Sequence, residues 1–218
     1  MAKNDSAQDT PSCELYLITP ARIDDLEAFS VLLNEVLATG SVACLQLRLK
    51  GVDDDSIREA AQKIMPVCSA NDVAFILNDR SDLALELDAD GVHLGQGDGD
   101  VGAARSLLGH DKDIGVTCHD SRHLAFEAGE AGADYVAFGA FFDTQTKQTD
   151  ARPELDILTM WDDVTDLPCV AIGGITVENC RSLADAGAHF VAVSSGVWDH
   201  PDGPVAAVRA FAKTLASS

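Results

Sequence analysis

The chain has 218 residues, of which 46% are hydrophobic and 23% are charged, and this composition fits one globular domain rather than a disordered chain. Its 36 acidic and 15 basic residues leave a formal net charge of −21, so its surface would repel nucleic-acid phosphates and anionic lipids. These values predict an enzyme-sized protein with no nucleic-acid partner and no membrane partner.

The N-terminal segment MAKNDSAQDTPS lacks the apolar core of a signal peptide, and no later apolar run approaches the roughly 20 residues of a membrane-spanning helix. We therefore predict a cytoplasmic protein in which residues 1–13 form a flexible tail and residues 14–218 form the catalytic domain. The six cysteines show no C-x-x-C spacing, which indicates reduced structural thiols rather than disulfides or a zinc site.

Eight short apolar runs follow one another along the chain, each about the length of a buried strand. In chain order they are LYLIT from Leu15, ACLQLRL from Ala43, VAFILN from Val73, GVHLG from Gly91, IGVTC from Ile114, YVAFGA from Tyr135, CVAIGG from Cys169 and FVAVSS from Phe190. Segments with helical periodicity separate them, as where Phe29, Leu33 and Val36 recur on one face before Gly40.

The alternation of strand and helix predicts an α/β protein with a parallel sheet. The strands are apolar almost throughout, as expected when both of their faces are covered. A closed (β/α)8 TIM barrel in a single domain accommodates all eight strands. An open doubly wound sheet is the alternative, but no G-x-G-x-x-G motif follows the first strand.

In such barrels the binding and catalytic side chains lie at the carboxyl ends of the strands and in the loops after them. Polar residues and glycines stand at these positions: Gln46, Arg48, Lys50, Asn78, Asp79, Gln96, Asp98, Thr117, His119, Thr144, Thr146, Lys147, Gly173, Gly174, Ser194, Ser195 and Gly196. On a strand, Gln46, Arg48 and Lys50 would project to the same face because they are alternate residues. Together with Lys147, the two cations predict a site for a highly charged anion such as pyrophosphate.

Asp79 and Asp98 follow consecutive strands, a placement suited to holding Mg²⁺ between carboxylates and phosphate oxygens. The structural alternatives are that Asp79 caps a helix and that Asp98 belongs to a solvated GDGD turn. Calcium is a weaker alternative, because the stretch lacks the spaced ligands of an EF-hand loop.

The IGGIT and VSSG segments, at the ends of the seventh and eighth strands, predict a monophosphate site, because this fold commonly binds phosphate there. His93 stands within a strand, and we interpret it as a packed residue whose ring nitrogens are satisfied. No Ser-His-Asp arrangement is evident, which favours a binding site for two phosphorylated groups over nucleophilic catalysis.

The motifs in combination resemble those of the thiamine-phosphate synthase family, whose members are also called thiamine-phosphate pyrophosphorylases. The resemblance rests on LYLITP, LQLRLK, ILNDRSDLA, DGVHLGQGD, GADYVAFG, TQTK, VAIGGIT and VAVSSG, and it covers nearly the whole chain beyond the tail. It implies a TIM-barrel transferase that condenses 4-amino-5-hydroxymethyl-2-methylpyrimidine diphosphate with 4-methyl-5-(2-phosphoethyl)thiazole, yielding thiamine phosphate and pyrophosphate. Two small phosphorylated substrates and Mg²⁺ are then the expected ligands, and homo-oligomerisation is left open.

The same resemblance implies roles for individual residues. The implied diphosphate ligands are Arg48, Lys50, Asn78 and Lys147, and the implied Mg²⁺ ligands are Asp79 and Asp98. Gln46 and Thr117 would place the pyrimidine, Thr144 and Thr146 would lie between the substrates, and the thiazole phosphate would bind at Gly174, Ser194 and Ser195. The implied catalytic residues are Arg48, Lys50, Lys147 and Thr117. The implied substitution is dissociative, with pyrophosphate leaving before the thiazole nitrogen attacks, and residues 142–153 form the candidate lid.

The chain departs from the family's usual pattern at three positions. Thr117 stands where the family usually has serine, and Ala140 and Asp143 stand where its GPxFPTxTK motif usually has prolines. Two alternatives share the barrel: an isomerase resembling thiazole tautomerase, and a catalytically silent paralogue that binds thiamine phosphate. The retained T-x-T-K group, Asn78–Asp79 pair and Asp98 favour the transferase, because a tautomerase has no diphosphate or magnesium to hold.

Overall fold

The structure is a computed structural model that describes residues 13–144 and 152–216. The strands, in chain order, are β1 (Glu14–Ile18), β2 (Val42–Leu47), β3 (Ala74–Asn78), β4 (Gly91–Leu94), β5 (Asp113–His119), β6 (Tyr135–Gly139), β7 (Cys169–Ile172) and β8 (Phe190–Val193). The helices are α1 (Leu26–Leu37), α2 (Asp54–Ala70), α3 (Ser81–Leu87), α4 (Val101–Leu108), α5 (Arg122–Glu130), α6 (Asp156–Val164), α7 (Cys180–Asp185), α8 (Ser195–Trp198) and α9 (Pro204–Leu215).

The strands form one closed parallel barrel in sequence order, and β1 closes it by pairing with β8. The predicted TIM barrel is thereby confirmed and the open-sheet alternative is wrong. Each predicted strand is present, but β2 ends at Leu47, so Arg48 and Lys50 lie in the following loop rather than on the strand. Because all eight strands are parallel, their carboxyl ends meet at one mouth of the barrel.

The core has two layers, because alternate residues of a strand point to opposite faces. In β1, Leu15 and Leu17 pack outward against the helices, whereas Tyr16 and Ile18 belong to the barrel interior. The interior also contains small side chains such as Ala137 and Ala192. Small residues at these positions leave room for a cavity near the barrel mouth.

Aspartate or serine side chains cap several of the helices that surround the barrel. Asp25, Asp53, Asp100 and Ser121 each accept a hydrogen bond from the backbone N–H three residues later, at the starts of α1, α2, α4 and α5. Such a cap contributes roughly 1 kcal/mol to stability, and it fixes the residue at which the helix begins. The caps therefore fix where several of the loops from the barrel mouth end.

Cys13, the first described residue, is buried and belongs to the core. The rest of the predicted tail, residues 1–12, lies outside the described residues.

All six cysteines are free, which confirms the prediction of structural thiols. Burial raises the pKa of the Cys118 thiol to about 12, so that thiol is unreactive at neutral pH. Over the described ranges, no helix combines the length and apolarity needed to cross a bilayer.

Candidate active site

A cavity opens at the carboxyl ends of the strands, where the sequence predicted the functional side chains. The residues assigned to substrate, catalysis or metal within the described ranges line it, whereas the strand-end candidates Gln96 and Gly196 do not; the lining residues are Gln46, Arg48, Lys50, Asn78, Asp79, Asp98, Thr117, Thr144, Gly174, Ser194 and Ser195. Thr146 and Lys147 fall in 145–151, outside the described residues, as does much of the candidate lid at 142–153. Residues that the sequence places at separate strand ends therefore line one cavity.

Arg48 enters the cavity from the loop after β2. Its backbone N–H donates to Thr19 Oγ1 at 3.0 Å, which fixes where the chain leaves the strand. Burial lowers the pKa of the guanidinium, while the nearby Asp79 carboxylate opposes that shift. Within the described part of the chain, no side chain accepts a hydrogen bond from this guanidinium, so its donors are available to an anionic ligand.

Lys50, Asp79 and Asp98 form a second group on the same side of the cavity. Lys50 Nζ lies 2.9 Å from Asp79 Oδ2. Asp79 has a positive φ of 67°, and its backbone N–H donates to the carbonyl of His93 at 2.8 Å. Burial, and then the charge of Asp79, raise the pKa of Asp98. Two carboxylates held this close repel each other, so a bound cation would stabilise them.

The sequence left two structural alternatives open, a helix cap for Asp79 and a solvated turn for Asp98, and only the second is observed. The helix-cap alternative for Asp79 is wrong, because Arg80 occupies the N-cap position of α3 and no side chain caps that helix. Asp98 does belong to an exposed turn, in which its Oδ2 accepts from the Gly95 N–H at 3.1 Å. That bond uses one carboxylate oxygen and leaves the other able to face a cation.

The Asp79 and Asp98 pair fits the preferences of Mg²⁺, which favours oxygen ligands and keeps several waters. Over residues 13–144 and 152–216, no group of three or more His, Cys, Asp or Glu side chains could hold a metal ion. Two carboxylates suit Mg²⁺ bound jointly by protein and substrate phosphate. We call Arg48, Lys50, Asp79 and Asp98 the charged side.

Glycines and serines line the cavity across the barrel, at the ends of β7 and β8. Gly173 and Gly174 have φ values of 102° and 65°. A Cβ at Gly174 would lie 2.3 Å from the carbonyl oxygen of Asp143, so the β6 loop and the β7 loop touch there. Ser194 Oγ donates to the carbonyl of Thr19 at 3.2 Å, next to Ser195 at the start of α8. We call Gly173, Gly174, Ser194 and Ser195 the glycine side.

Asn179 supports the glycine side from behind. Its Nδ2 donates to the carbonyl of Gly174 at 3.0 Å, and its Oδ1 accepts from the backbone N–H of Thr176 at 2.8 Å. One side chain thus ties both ends of the β7 loop together. Sequence reasoning missed this residue, although an asparagine just before a helix is a recognisable loop-organising signal.

Beneath the cavity, five polar side chains form a continuous chain of hydrogen bonds. Gln46 Nε2 donates to Tyr16 Oη at 2.9 Å, and Tyr16 Oη lies 2.9 Å from Tyr135 Oη. His93 Nδ1 lies 3.1 Å from Tyr135 Oη, and its Nε2 lies 2.9 Å from Thr117 Oγ1. Both ring nitrogens of His93 have partners, which confirms our interpretation of its packing. We call these five residues the relay.

The environment of the two tyrosines explains why they extend into the barrel interior. A Cβ at residue 115 would lie 2.0 Å from Cζ of Tyr135, so only glycine there admits the ring. Burial raises the pKa values of both Tyr16 and Tyr135, which keeps their hydroxyls protonated. Sequence reasoning missed both residues, although a phenol in an otherwise apolar buried strand signals the need for a polar partner.

An irregularity in β5 directs Thr117 towards the cavity. The pairing of β5 with β6 shifts between Thr117 and His119, and His119 has a positive φ of 56°. Both residues consequently line the cavity, although they are only two positions apart on an interrupted strand. Gln96 Nε2 donates to the backbone carbonyl of Thr117 at 2.6 Å and braces the same position.

Two of the positions that depart from the usual family motif lie in the loop after β6. Ala140 is buried and lines the cavity. The Asp143 carboxylate is fully exposed, and its Oδ1 lies 3.4 Å from Nη2 of Arg152. Its charge is thus directed to solvent and to a cation instead of lining the cavity.

The family model and the relatives of highest identity place the chain in one family. Residues 15–197 match the family described as thiamine monophosphate synthase. The thiamine-phosphate synthase of Rhodospirillum centenum is 55% identical over 203 residues, covering 93% of this chain and 98% of the relative. That of Hyphomonas neptunium is 52% identical over 211 residues, covering 95% and 96%. Among solved structures, thiamine phosphate pyrophosphorylase from Pyrococcus furiosus superposes with a TM-score of 0.81 at 31% identity, covering 94% and 96%.

Proposed function

This chain belongs to the thiamine monophosphate synthase family and is a transferase of thiamine biosynthesis, and from that premise we propose how its cavity performs the reaction. The substrates are 4-amino-5-hydroxymethyl-2-methylpyrimidine diphosphate and 4-methyl-5-(2-phosphoethyl)thiazole, and the products are thiamine phosphate and pyrophosphate. One observation carries the proposal: a single cavity has two separate sides suited to phosphate groups.

The charged side binds the diphosphate. Arg48 supplies planar donors, and Lys50 supplies a point charge. Asn78 adds an amide at the end of β3, and Lys147 joins them by the resemblance of the TQTK motif. The half-buried guanidinium of Arg48 supports this role, because water screens its attraction for an anion only in part.

Asp79 and Asp98 would hold Mg²⁺ beside the same diphosphate. When bound, the ion would neutralise negative charge on the pyrophosphate leaving group. Lys50 already lies at 2.9 Å from Asp79 and balances part of the carboxylate charge. The proposal assigns the two carboxylates to the metal and the cations to the phosphate oxygens.

The glycine side binds the thiazole phosphate through backbone N–H groups, that of Ser194 among them, and through the hydroxyl of Ser195, because the Ser194 hydroxyl already donates to the Thr19 carbonyl. The positive φ values of Gly173 and Gly174 support this role, because they let the backbone approach a ligand closely. Gln46 and Thr117 hold the pyrimidine between the two sides. By the resemblance, Thr144 and Thr146 are assigned to the space between the substrates, and residues 142–153 remain the candidate lid.

The reaction requires one bond to break and one to form, with no proton transfer at the reacting carbon. The bond between the pyrimidine methylene carbon and the diphosphate oxygen breaks, and pyrophosphate leaves with both electrons. The thiazole nitrogen then donates its lone pair to the methylene carbon, which produces the thiazolium of thiamine phosphate. Charge stabilisation and exclusion of water suffice, and the cavity's cations agree with that need.

Pyrophosphate release by the purified full-length chain tests the proposal. Both substrates and Mg²⁺ are supplied, thiamine phosphate is identified by mass, and parallel reactions omit the thiazole phosphate or the metal. We expect release that needs both substrates and Mg²⁺. Undiminished release after chelation would overturn the roles of Asp79 and Asp98.

Two other outcomes would replace the proposed function. Binding of thiazole phosphate with isomerisation but no pyrophosphate release would indicate a tautomerase-like enzyme. Binding of thiamine phosphate without any turnover would indicate a silent paralogue. The paired carboxylates and the Arg48 guanidinium, whose donors no side chain in the described ranges uses, favour neither outcome, because neither function needs a diphosphate site.

A further inference from the structure

We propose that the relay is a polarised positioning device, which fixes one tautomer of His93 and so presents a hydrogen-bond donor at Thr117 and an acceptor at Gln46 to the aminopyrimidine. The inference rests on the proposed function for the identity of the ligand. It assigns positioning roles to Tyr16, His93 and Tyr135, which lie behind the two residues expected to contact the substrate.

The polarity follows from counting hydrogens along the relay. Gln46 Nε2 donates to Tyr16 Oη at 2.9 Å. The Gln46 amide supplies the hydrogen of this first bond, so the single hydrogen of the Tyr16 phenol is available for the second. Tyr16 donates it to Tyr135 Oη, also at 2.9 Å. Tyr135 already accepts that bond, and its own hydrogen is directed to His93 Nδ1 at 3.1 Å.

His93 then transmits the polarity to the cavity. Because Nδ1 accepts, the neutral ring carries its hydrogen on Nε2, and Nε2 donates to Thr117 Oγ1 at 2.9 Å. The Thr117 hydroxyl is left with its own hydrogen to donate to a ligand in the cavity that it lines. At the opposite end, the amide orientation that starts the relay leaves Gln46 Oε1 as an acceptor.

Burial protects the direction of these hydrogen bonds from exchange with water. Gln46 and His93 are 3% and 7% exposed, and Tyr16 is 3% exposed, so water competes little for these bonds. Both tyrosines keep their hydrogens, because burial raises their pKa values. An aminopyrimidine offers ring-nitrogen acceptors and amino-group donors, which complement a donor at Thr117 and an acceptor at Gln46.

The reverse polarity is a distinct and measurable state. If the Gln46 amide were turned over, every hydrogen would move to the other partner, His93 would carry its hydrogen on Nδ1, and Thr117 would donate to His93. The cavity would then present an acceptor at Thr117 and a donor at Gln46. The tautomer of His93 therefore reports the direction of the whole relay.

Nitrogen-15 NMR of histidine-labelled, full-length protein at pH 8 without substrates reads this tautomer directly. The signals of His93 are assigned by their loss in His93→Asn. We expect a ring protonated on Nε2 only. A ring protonated on Nδ1, or on both nitrogens, would overturn the relay as proposed.

A kinetic experiment tests whether the relay positions the substrate. Tyr135→Phe removes the central hydroxyl and keeps the ring over Gly115. We expect the KM for the pyrimidine diphosphate to rise at least tenfold, the KM for the thiazole phosphate to stay within about twofold, and the His93 tautomers to become mixed. Unchanged KM values for both substrates would refute the positioning role.

Matched variants separate this result from a general loss of structure. Thr39→Val removes a half-buried hydroxyl that donates to the carbonyl of Val36 at 2.7 Å, in the loop that enters the amino end of β2 and not at the carboxyl end where Gln46 lies, and should leave both KM values unchanged. Should Tyr135→Phe not fold, Tyr16→Phe interrupts the same relay one bond earlier and carries the same expectation. A wild-type chain that makes no thiamine phosphate refutes the proposed function, whereas normal turnover with the Nδ1 tautomer refutes the relay alone.

Discussion

The two sides of the cavity recognise phosphate by different physical means. The charged side gathers Arg48, Lys50, Asp79 and Asp98, all of whose contributions depend on ionised side chains. The glycine side offers backbone groups and hydroxyls, which carry no net charge and depend on the shape of the chain. A side that binds by charge is sensitive to pH, metal and salt, whereas a side that binds by shape is sensitive to added atoms.

The division matches the chemistry of the two proposed phosphate groups. The diphosphate leaves during the reaction and gains negative charge, so flexible charged groups near a metal can follow it. The thiazole phosphate remains in the product and acts as a handle, for which a fixed backbone cradle suffices. Perturbing one side at a time should therefore affect one substrate at a time.

The largest effect should come from the charged side. Arg48→Met keeps much of the side chain's volume and removes its donors, and we expect kcat/KM for the pyrimidine diphosphate to fall about a hundredfold, roughly 2.7 kcal/mol. Steady-state kinetics with each substrate varied in turn measure the loss. Arg22→Met is the control, because Arg22 pairs with Asp24 on the surface and is 80% exposed. Equal losses in both variants would contradict the comparison.

Gly174→Ala should break the glycine side. Its φ of 65° strains any other residue, and the added Cβ would meet the carbonyl oxygen of Asp143. We expect the KM for the thiazole phosphate to rise at least tenfold, about 1.4 kcal/mol, with a smaller change for the diphosphate. Gly40→Ala is the control, because Gly40 has a similar φ of 67° but a Cβ there would meet no atom within 4 Å. This variant therefore tests backbone strain alone. A rise in the KM for the diphosphate only would reverse the assignment of the sides.

A milder effect is expected from Asn179→Ala. The variant loses the bonds to the Gly174 carbonyl and the Thr176 N–H, so unfolding free energy should fall by about 1–2 kcal/mol and the KM for thiazole phosphate should rise about threefold. Urea denaturation and kinetics measure the two changes. Ser182→Ala removes a bond to the Asn179 carbonyl at 2.8 Å and should change stability only. If both variants shift the KM equally, Asn179 has no specific role in the cradle.

The smallest effect concerns charge repulsion on the charged side. The raised pKa of Asp98 means that the folded state disfavours its carboxylate, so its stabilising contribution is present in acid and is lost as pH rises through that pKa. Without divalent cations, Asp98→Asn should therefore raise Tm at pH 7, and by only about 1–3 °C because solvent partly screens the pair. The gain should shrink as the pH is lowered towards 4.

Asp100→Asn provides a control within the same GDGD stretch. Asp100 caps α4 by accepting from the Ala103 N–H, and asparagine is an equally good cap. Thermal melts over a pH series should show no pH-dependent gain for this variant. A similar gain in both variants would mean that repulsion between Asp79 and Asp98 is not the cause.

The fold was predictable because strands covered on both faces appear as continuous apolar runs, and all eight runs are strands. The residues at which strands end were harder to predict from the sequence, as β2 shows. There, Thr19, in the loop after β1, accepts the Arg48 N–H and donates its own N–H to the Gln46 carbonyl, so a residue distant in sequence ends the strand. Such termination depends on tertiary contacts that local patterns do not contain.

The site was predictable in its location and only partly in its connections. Strand ends sufficed to bring Arg48 and Asp98 to one cavity. The relay was not foreseen, because the hydroxyls of Tyr16 and Tyr135 meet across 119 residues of sequence and do so only when the barrel closes. The pairing also needs glycine at position 115 to make room. Hydrogen-bond networks across a closed sheet therefore require the three-dimensional register.

Both tyrosines of the chain belong to the relay, and no tyrosine lies elsewhere in the sequence. Every tyrosine contribution to the ultraviolet spectrum thus originates directly beneath the cavity. Adding the pyrimidine substrate should alter the polarity around these two chromophores, while tryptophan signals come from Trp161 and Trp198 in the outer packing layer. The protein consequently contains its own optical reporter, and an absorbance difference spectrum can follow occupation of the pyrimidine subsite without any label.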